Sequence, residues 1–309
     1  MSVLCISLNP ALDLTLSLEQ LTLGAVNRTT DERVQAAGKG VNVACVLSEL
    51  GADVALSGFL GQENSAPFVS LFSQLKIDNQ CIMVAGATRQ NVKIAESDGQ
   101  VTDVNGRGFV VSPKDINALQ QRVAELVADA QAVVVSGSLP RGFSQEDFKA
   151  LLLLIKQYTP KLIVDTSGAA LRTAVACQPF LIKPNSAELT ESFGLPADTK
   201  QAQQVIVDKH LAEVANVVVS MGADGVRWFS KAGNLEATAP PISVKSTVGA
   251  GDTLTAALTF GLLCENLARP LVLQQAVAQA SFVASIIGVG IADETTVQKL
   301  TQSITISAF

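Results

Sequence analysis

The segment S-T-V-G-A-G-D-T at 246–253 sets an acidic residue directly behind two glycines and ahead of a small, apolar, helix-forming run at 254–263. Gly249 and Gly251 let the chain turn tightly and aim free N–H groups at one point, and the positive end of the following helix dipole adds to that field. Such a loop suits phosphate oxygens. A carboxylate beside it is out of place if the loop only binds phosphate. It is sensible if a hydroxyl must lose its proton while attacking a γ-phosphorus, with Asp252 kept ionised by the helix dipole to receive that proton. The plain alternative is a glycine turn with Asp252 as an ordinary helix cap. A second glycine cluster, A-G-K-G-V-N at 37–42, also opens a helix and offers backbone donors together with Lys39 and Asn42. It is not a Walker A loop, because G-x-x-x-x-G-K-[ST] does not occur in the chain. Lys183, Asn185 and Glu188 follow a strand, where open α/β sheets bind ligands, and Asn185 with Glu188 at helical spacing suits hydrated Mg²⁺ near a triphosphate. A capped helix with an exposed glutamate explains that pair equally well. Arg89 and Lys93 either face a ligand or are solvated charge, and His210, between Lys209 and Leu211, reads as surface without a catalytic role.

These residues need a frame. Short apolar β-rich runs at 4–8, 54–59, 132–135, 162–165, 180–183 and 217–220 alternate with segments whose apolar residues step by three and four, such as Phe148, Leu151, Leu152 and Ile155. That alternation predicts βα units around a mainly parallel sheet. Ser112 before Pro113, and Ser144 three residues ahead of Asp147, mark helix starts. Two stretches break the rhythm, 10–33 and 88–110, the second with an Asp98-Gly99 turn between strands. They are expected to form one small sheet outside the main one, within a single domain spanning 1–309. Of the 309 residues 48% are hydrophobic and 16% charged, enough to bury a broad sheet between helices.

The net charge of −6 argues against nucleic acid and anionic membrane partners, both of which favour a basic face. Cys5, Cys45, Cys81, Cys177 and Cys264 contain no C-x-x-C pair, and with one histidine no zinc spacing can be written. They are expected to be reduced, mostly buried thiols of a cytoplasmic protein. The first residues read as a strand rather than a secretory signal, and the apolar stretch 271–290, broken by glutamines and serines, as a buried helix rather than a membrane span. A dinucleotide-dependent oxidoreductase would carry G-x-G-x-x-G after the first strand, where Leu8-Asn9-Pro10-Ala11 stands instead.

Seven blocks in order, L-N-P-A-L-D at 8–13, A-A-G-K-G-V-N-V-A at 36–44, T-R-Q-N-V-K at 88–93, S-G-S-L-P-R-G at 136–142, K-P-N-S-A-E-L at 183–189, S-M-G-A-D-G at 220–225 and S-T-V-G-A-G-D at 246–252, resemble the ribokinase-like sugar kinases of the phosphofructokinase B family. The resemblance implies a three-layer α/β core, a small β-sheet lid over the sugar, and a homodimer formed through the lids. It implies that Asp252 accepts the proton and that the N–H groups of the Gly249, Ala250, Gly251 and Asp252 turn form an anion hole. Asp13, Gly38, Lys39 and Asn42 would hold sugar hydroxyls and Arg89 the substrate's own phosphate. Lys183, Asn185 and Glu188 would face ATP and Mg²⁺, the last two meeting the metal through water. Ser220, Gly222, Gly225, Ser246, Thr247, Val248, Gly249, Ala250 and Gly251 would line the nucleotide. Within the family, A-G-K-G and the string at 91–105 resemble the branch acting on fructose 1-phosphate, with tagatose 6-phosphate and fructose 6-phosphate as alternative substrates. Ala25 stands where kinases of fructose 6-phosphate can carry a lysine. A regulator that binds sugar phosphate without catalysis is the remaining alternative.

Overall fold

A computed structural model describes every position except Met1, Pro160, Ile287 and Val289, and Cys264 by its backbone alone. Side chains alternate across a strand, so a strand buried on both faces must be apolar at every position. That is what the first strand, Ser2–Ser7, does: Val3 and Cys5 enter one core, Leu4 and Ile6 the other. Its neighbour Ala132–Ser136 divides in the same way, Val134 to the first core, Val133 and Val135 to the second. Helices Lys39–Glu49, Ala250–Thr259 and Arg269–Ala284 cover the first core, and Pro113–Val127, Gln145–Tyr158 and Gly168–Ala176 the second. The result is the expected three-layer α/β arrangement.

The central sheet has eleven strands among the described residues. Its parallel part runs Asn216–Ser220, Leu181–Ile182, Leu162–Asp165, Ala132–Ser136, Ser2–Ser7, Asp53–Gly61 and Asp78–Asn79, with Ile82–Val84 also paired to Asp53–Gly61. Beyond Asn216–Ser220 the sheet continues antiparallel through Val226–Ser230, Leu235–Ala237 and Ile306–Ala308. That edge is not evident from periodicity, because V-R-W-F-S and L-E-A are short and mixed. It is fixed by tertiary contacts, including the buried Trp228 indole, which donates to Asn216 Oδ1 at 3.0 Å. Both expected capping boxes are present, at Ser112 with Asp115 and at Ser144 with Asp147. Cys5, Cys45 and Cys177 are buried and Cys81 half-buried, all as free thiols, while the expectation for the Cys264 thiol lies outside the described side chains. Among the described residues no helix is long and apolar enough to cross a membrane.

The two stretches outside the βα rhythm do meet in a separate four-stranded sheet, ordered Asp31–Ala37, Ala11–Leu18, Arg89–Glu96, Val101–Asn105. Its second strand reaches Ala37, past the expected boundary at 33, and feeds straight into the Lys39 helix. Registration separates its two faces. Val34, Leu14, Val92 and Val104 form one cross-strand row, and Asp13, Asn91 and Asn105 form the adjacent row on the opposite face.

The Lys39 helix lies unusually close to the first strand, since a Cβ built on Gly40 would sit 2.7 Å from Ser7 Cβ and 2.9 Å from the Ile6 carbonyl oxygen. Gly40→Ala must therefore lift the helix off the strand and carry Lys39 and Asn42 with it. Urea unfolding is expected to show a loss of about 1–3 kcal/mol, the range for overpacking a tight contact. A wild-type midpoint would mean that the contact yields freely.

Candidate active site

Parallel strands deliver their carboxyl ends to one side of a sheet, and here those ends carry Ser7, Ser136, Asp165 and, one residue beyond Ile182, Lys183. They open onto a cleft of about 930 Å³, closed on its far side by Asp13, Asn91, Lys93, Asp103 and Asn105 from the polar face of the small sheet.

Asp252 lies in the first turn of the helix Ala250–Thr259, whose N-cap Gly249 has the left-handed backbone, φ 82°, that glycine adopts without strain. The side chain is buried, and Asn42 Nδ2 donates to its Oδ2 at 2.7 Å. N–H groups in a helix's first turn have no intrahelical acceptor, and Thr247 to Asp252 line the cleft, so the turn offers donors to an anion. Lys183 adds a full charge: its Nζ is 3.4 Å from where a Cβ on Gly251 would stand. The helix dipole expected to keep Asp252 ionised is not the only influence on it. Burial, and then the neighbouring Asp165, push its pKa up to about 6, against the opposing pull of Lys39, the Asn42 hydrogen bond and Lys183. It is a stronger base than an exposed aspartate and still ionised at neutral pH.

Asp165 was not singled out from the sequence, because a lone aspartate ending a strand has no local signature. It is fully buried, with Lys39 Nζ donating to Oδ1 at 3.1 Å, Lys183 Nζ 3.4 Å from Oδ2, and Thr255 Oγ1 donating to Oδ2 at 3.0 Å. Burial alone would raise its pKa, but Lys183 and Lys39 outweigh that and hold it below the usual range. Lys39 is in turn raised, chiefly by Asp165.

On the lid side, Asp13 Oδ1 accepts from Asn91 at 3.0 Å and Oδ2 is paired with Lys93, so Lys93 is a site residue and not solvated charge. Arg89 is half-buried, its guanidinium held by the carbonyl oxygens of Asn9 and Pro10 at 3.2–3.3 Å. It borders both the cleft and a smaller pocket of about 150 Å³ lined by Ser7, Asn9, Ser136, Ser138, Thr166 and Lys39. The Ser136 hydroxyl there is buried without a hydrogen-bond partner among the described residues. This hydroxyl-rich pocket also escaped the sequence reading, since its residues come from separate strand ends and serine is common everywhere.

On the opposite side, Ser220, Gly222 and Gly225 line the cleft with Val226, Ile242, Val277 and Ala280, an apolar wall suited to a flat ring system. Ser246 is not among the lining residues. Its hydroxyl accepts from Val248 N at 3.2 Å and its backbone N donates to the Ala284 carbonyl oxygen, so it shapes the loop. Asn185 and Glu188 form a capping box for the helix Ser186–Phe193, with the remaining Glu188 oxygen 3.3 Å from Lys39 Nζ. Among the described residues no three His, Cys, Asp or Glu side chains gather as a metal cage. Because both Glu188 oxygens already accept hydrogen bonds and the side chain lines the cleft, it fits an outer-sphere role toward a hydrated cation.

A buried carboxylate beside a helix N-terminus, with lysines to either side and a small sheet over the cleft, suits a sugar kinase, and the chain belongs to the pfkB family of carbohydrate kinases, which it matches over residues 4–296. It is 40% identical over 307 residues to the 1-phosphofructokinase of Vibrio cholerae, covering 99% of this chain and 96% of that one. Phosphofructokinase-2 of Escherichia coli, solved in complex with substrates and products, aligns with a TM-score of 0.88 at 27% identity, covering 98% and 99% of the two chains. Ribokinase of Arabidopsis thaliana shares the fold, with a TM-score of 0.77 at 22% identity over 97% and 98%.

A base with pKa about 6 is protonated, and useless, below that pH. With ATP saturating, kcat/KM for the acceptor sugar is expected to fall about tenfold per unit below pH 6 and to level off above it. An acid limb at pH 4 would mean that Asp252 titrates as an exposed carboxylate or is not the group observed.

Proposed function

We propose that this kinase transfers the γ-phosphoryl group of ATP to D-fructose 1-phosphate, giving D-fructose 1,6-bisphosphate and ADP. The observation that carries the chemistry is Asp252, a buried carboxylate of raised basicity in the same turn as the anion-binding amides. The substrate assignment is supported by the 1-phosphofructokinase of Vibrio cholerae, at 40% identity over nearly the whole of both chains. The sugar would lie against Asp13, Gly38, Lys39 and Asn42, its existing phosphate at Arg89 beside the hydroxyl-rich pocket. ATP would run from the apolar wall past Ser220, Gly222 and Gly225 to Lys183 and the Gly249–Asp252 turn. Mg²⁺ bound to the phosphates, its water shell meeting Asn185 and Glu188, would neutralise charge on the triphosphate. Asn42 orients the Asp252 carboxylate, which leaves its second oxygen for the attacking hydroxyl. In a loose transition state the hydroxyl proton leaves late, so a base with pKa about 6 suffices. The amides of Ala250, Gly251 and Asp252, with Lys183, would hold the transferring group as charge redistributes over its oxygens. The use of ATP and a sugar phosphate supports a cytoplasmic activity.

Turnover should be measured against fructose 1-phosphate, tagatose 6-phosphate, fructose 6-phosphate and fructose, for wild type, Asp252→Asn and Arg89→Ala. Fructose 1-phosphate is expected to give the highest kcat/KM. Asp252→Asn should keep ATP binding and lose about 10²- to 10⁴-fold in kcat, as general-base removal does. Arg89→Ala should lose roughly 30- to 1000-fold in kcat/KM for the sugar phosphate and little for ATP. A different preferred sugar overturns the substrate, and an active Asp252→Asn overturns the base.

The chain is further proposed to dimerise through the small sheet, whose outward row ends in Val34 and Val104, about half-exposed at 54% and 55%. An apolar sheet face left open would be an aggregation liability. Sedimentation velocity at micromolar concentration is expected to show a dimer, and Val104→Glu a monomer; a monomeric wild type would refute the arrangement.

A further inference from the structure

Asp165 lines neither the cleft nor the smaller pocket, yet it contacts three residues that reach different parts of the site, Lys39, Lys183 and Thr255. Lys39, bonded to Oδ1, opens the helix that also carries Asn42, and borders both cavities. Lys183, beside Oδ2, stands against the anion-binding turn. Thr255, which donates to Oδ2, is one turn beyond Gly251, and its Oγ1 lies 3.1 Å from the Gly251 carbonyl oxygen. One carboxylate thus spans the sugar-side helix, the donor-side lysine and the helix bearing the base.

We infer that Asp165 is a positioning residue for phosphoryl transfer, whose buried carboxylate holds Lys39 and Lys183 apart and away from Asp252, so that the base stays free for the attacking hydroxyl. This rests on the roles proposed above for Lys39, Lys183 and Asp252. The physical argument is competition. Lys39 and Lys183 are both close enough to Asp252 to stabilise its ionised form, and a direct ion pair would occupy its oxygens and make it a poorer proton acceptor. Asp165 holds both ammonium groups by its place at the strand end, with Lys39 Nζ 3.1 Å from Oδ1 and Lys183 Nζ 3.4 Å from Oδ2, while Asp252 accepts from Asn42. Its own negative charge also favours the protonated form of Asp252. The charged and titratable groups facing Asp252 are therefore Asp165 from its strand, Lys39 from the helix opposite and Lys183 from the strand end, with Asn42 as a neutral donor.

The test is Asp165→Asn, read by kcat, both KM values and the pH profile. The expected result is a kcat lower by about 10- to 100-fold, the weight of a charged hydrogen bond, with an acid limb moved to lower pH as the freed lysines pair with Asp252. Carboxyl-carbon NMR, with Asp252 assigned by comparison with Asp252→Asn, should show the same downward move without reference to turnover. Loss of kcat with an unmoved limb and an unmoved Asp252 titration would overturn the inference, because general loosening of the fold does not select the base. An inactive Asp252→Asn combined with that result refutes only the Asp165 role, whereas an active Asp252→Asn refutes the base itself. If Asp165→Asn does not fold, Thr255 decides. Thr255→Val keeps the shape but removes the hydroxyl that fixes the carboxylate, and should lower kcat by about tenfold, while Thr255→Ser, which keeps the donor, should recover most of that loss. Equal turnover in the valine and serine variants would overturn the inference.

Discussion

A carboxylate with no exposed surface persists as an anion only if its charge is answered where it sits, and Asp165 is answered by two ammonium groups and a hydroxyl. The dependence runs both ways. Lys183 is itself almost without exposed surface, and Lys39 is held by Asp165 together with Glu188. Adding Glu188 and Asp252 gives two cations and three anions in one partly dry volume, where electrostatic interactions are stronger than in water. A phosphoryl donor would enter a site whose charges are already arranged, so little reorganisation would remain at the moment of transfer. The fold supplies this by ending adjacent parallel strands at the same level, which brings residues far apart in sequence to one edge.

How much of this the sequence disclosed depended on whether a residue's role was local. The glycine turn before Asp252 was legible because both the turn and the following helix are written within a few consecutive residues. The central strands were legible because burial on both faces leaves an unbroken apolar run, and the capping boxes because their partners are three residues apart. Asp165, Ser138 and Thr255 were not legible, since nothing adjacent to them distinguishes a site residue from an ordinary strand or helix residue. The antiparallel edge was missed for a similar reason. Its stability comes from Trp228 and from pairing with the distant strand Ile306–Ala308, neither visible in a short window. The raised pKa of Asp252 was not legible, because the helix dipole is local and readable, whereas burial and the charge of Asp165 are not.

Register in the small sheet decides two properties at once. A period of two puts Asp13, Asn91 and Asn105 toward the cleft and Leu14, Val92 and Val104 away from it, so a one-residue slip would exchange specificity for an apolar surface against the substrate. The strand Ala11–Leu18 pairs parallel with Arg89–Glu96, and the crossover between them includes the helices Lys39–Glu49 and Ala66–Gln74 and the core strand Asp53–Gly61. The sheet above the cleft is thus tied to the core by topology as well as by contact.

The hydrogen bond between Asn42 and Asp252 joins residues 210 positions apart. During synthesis the sugar-side helix emerges early, while the base and the anion-binding turn follow only when most of the polypeptide has left the ribosome. On the roles proposed above, a chain interrupted before the helix Ala250–Thr259 would carry Asp13, Lys39, Arg89 and Lys183 without Asp252 or the amides of the turn that holds it. Such a fragment would keep much of the sugar-side surface while lacking the proposed proton acceptor, because the order of the chain puts the sugar side first and the base late.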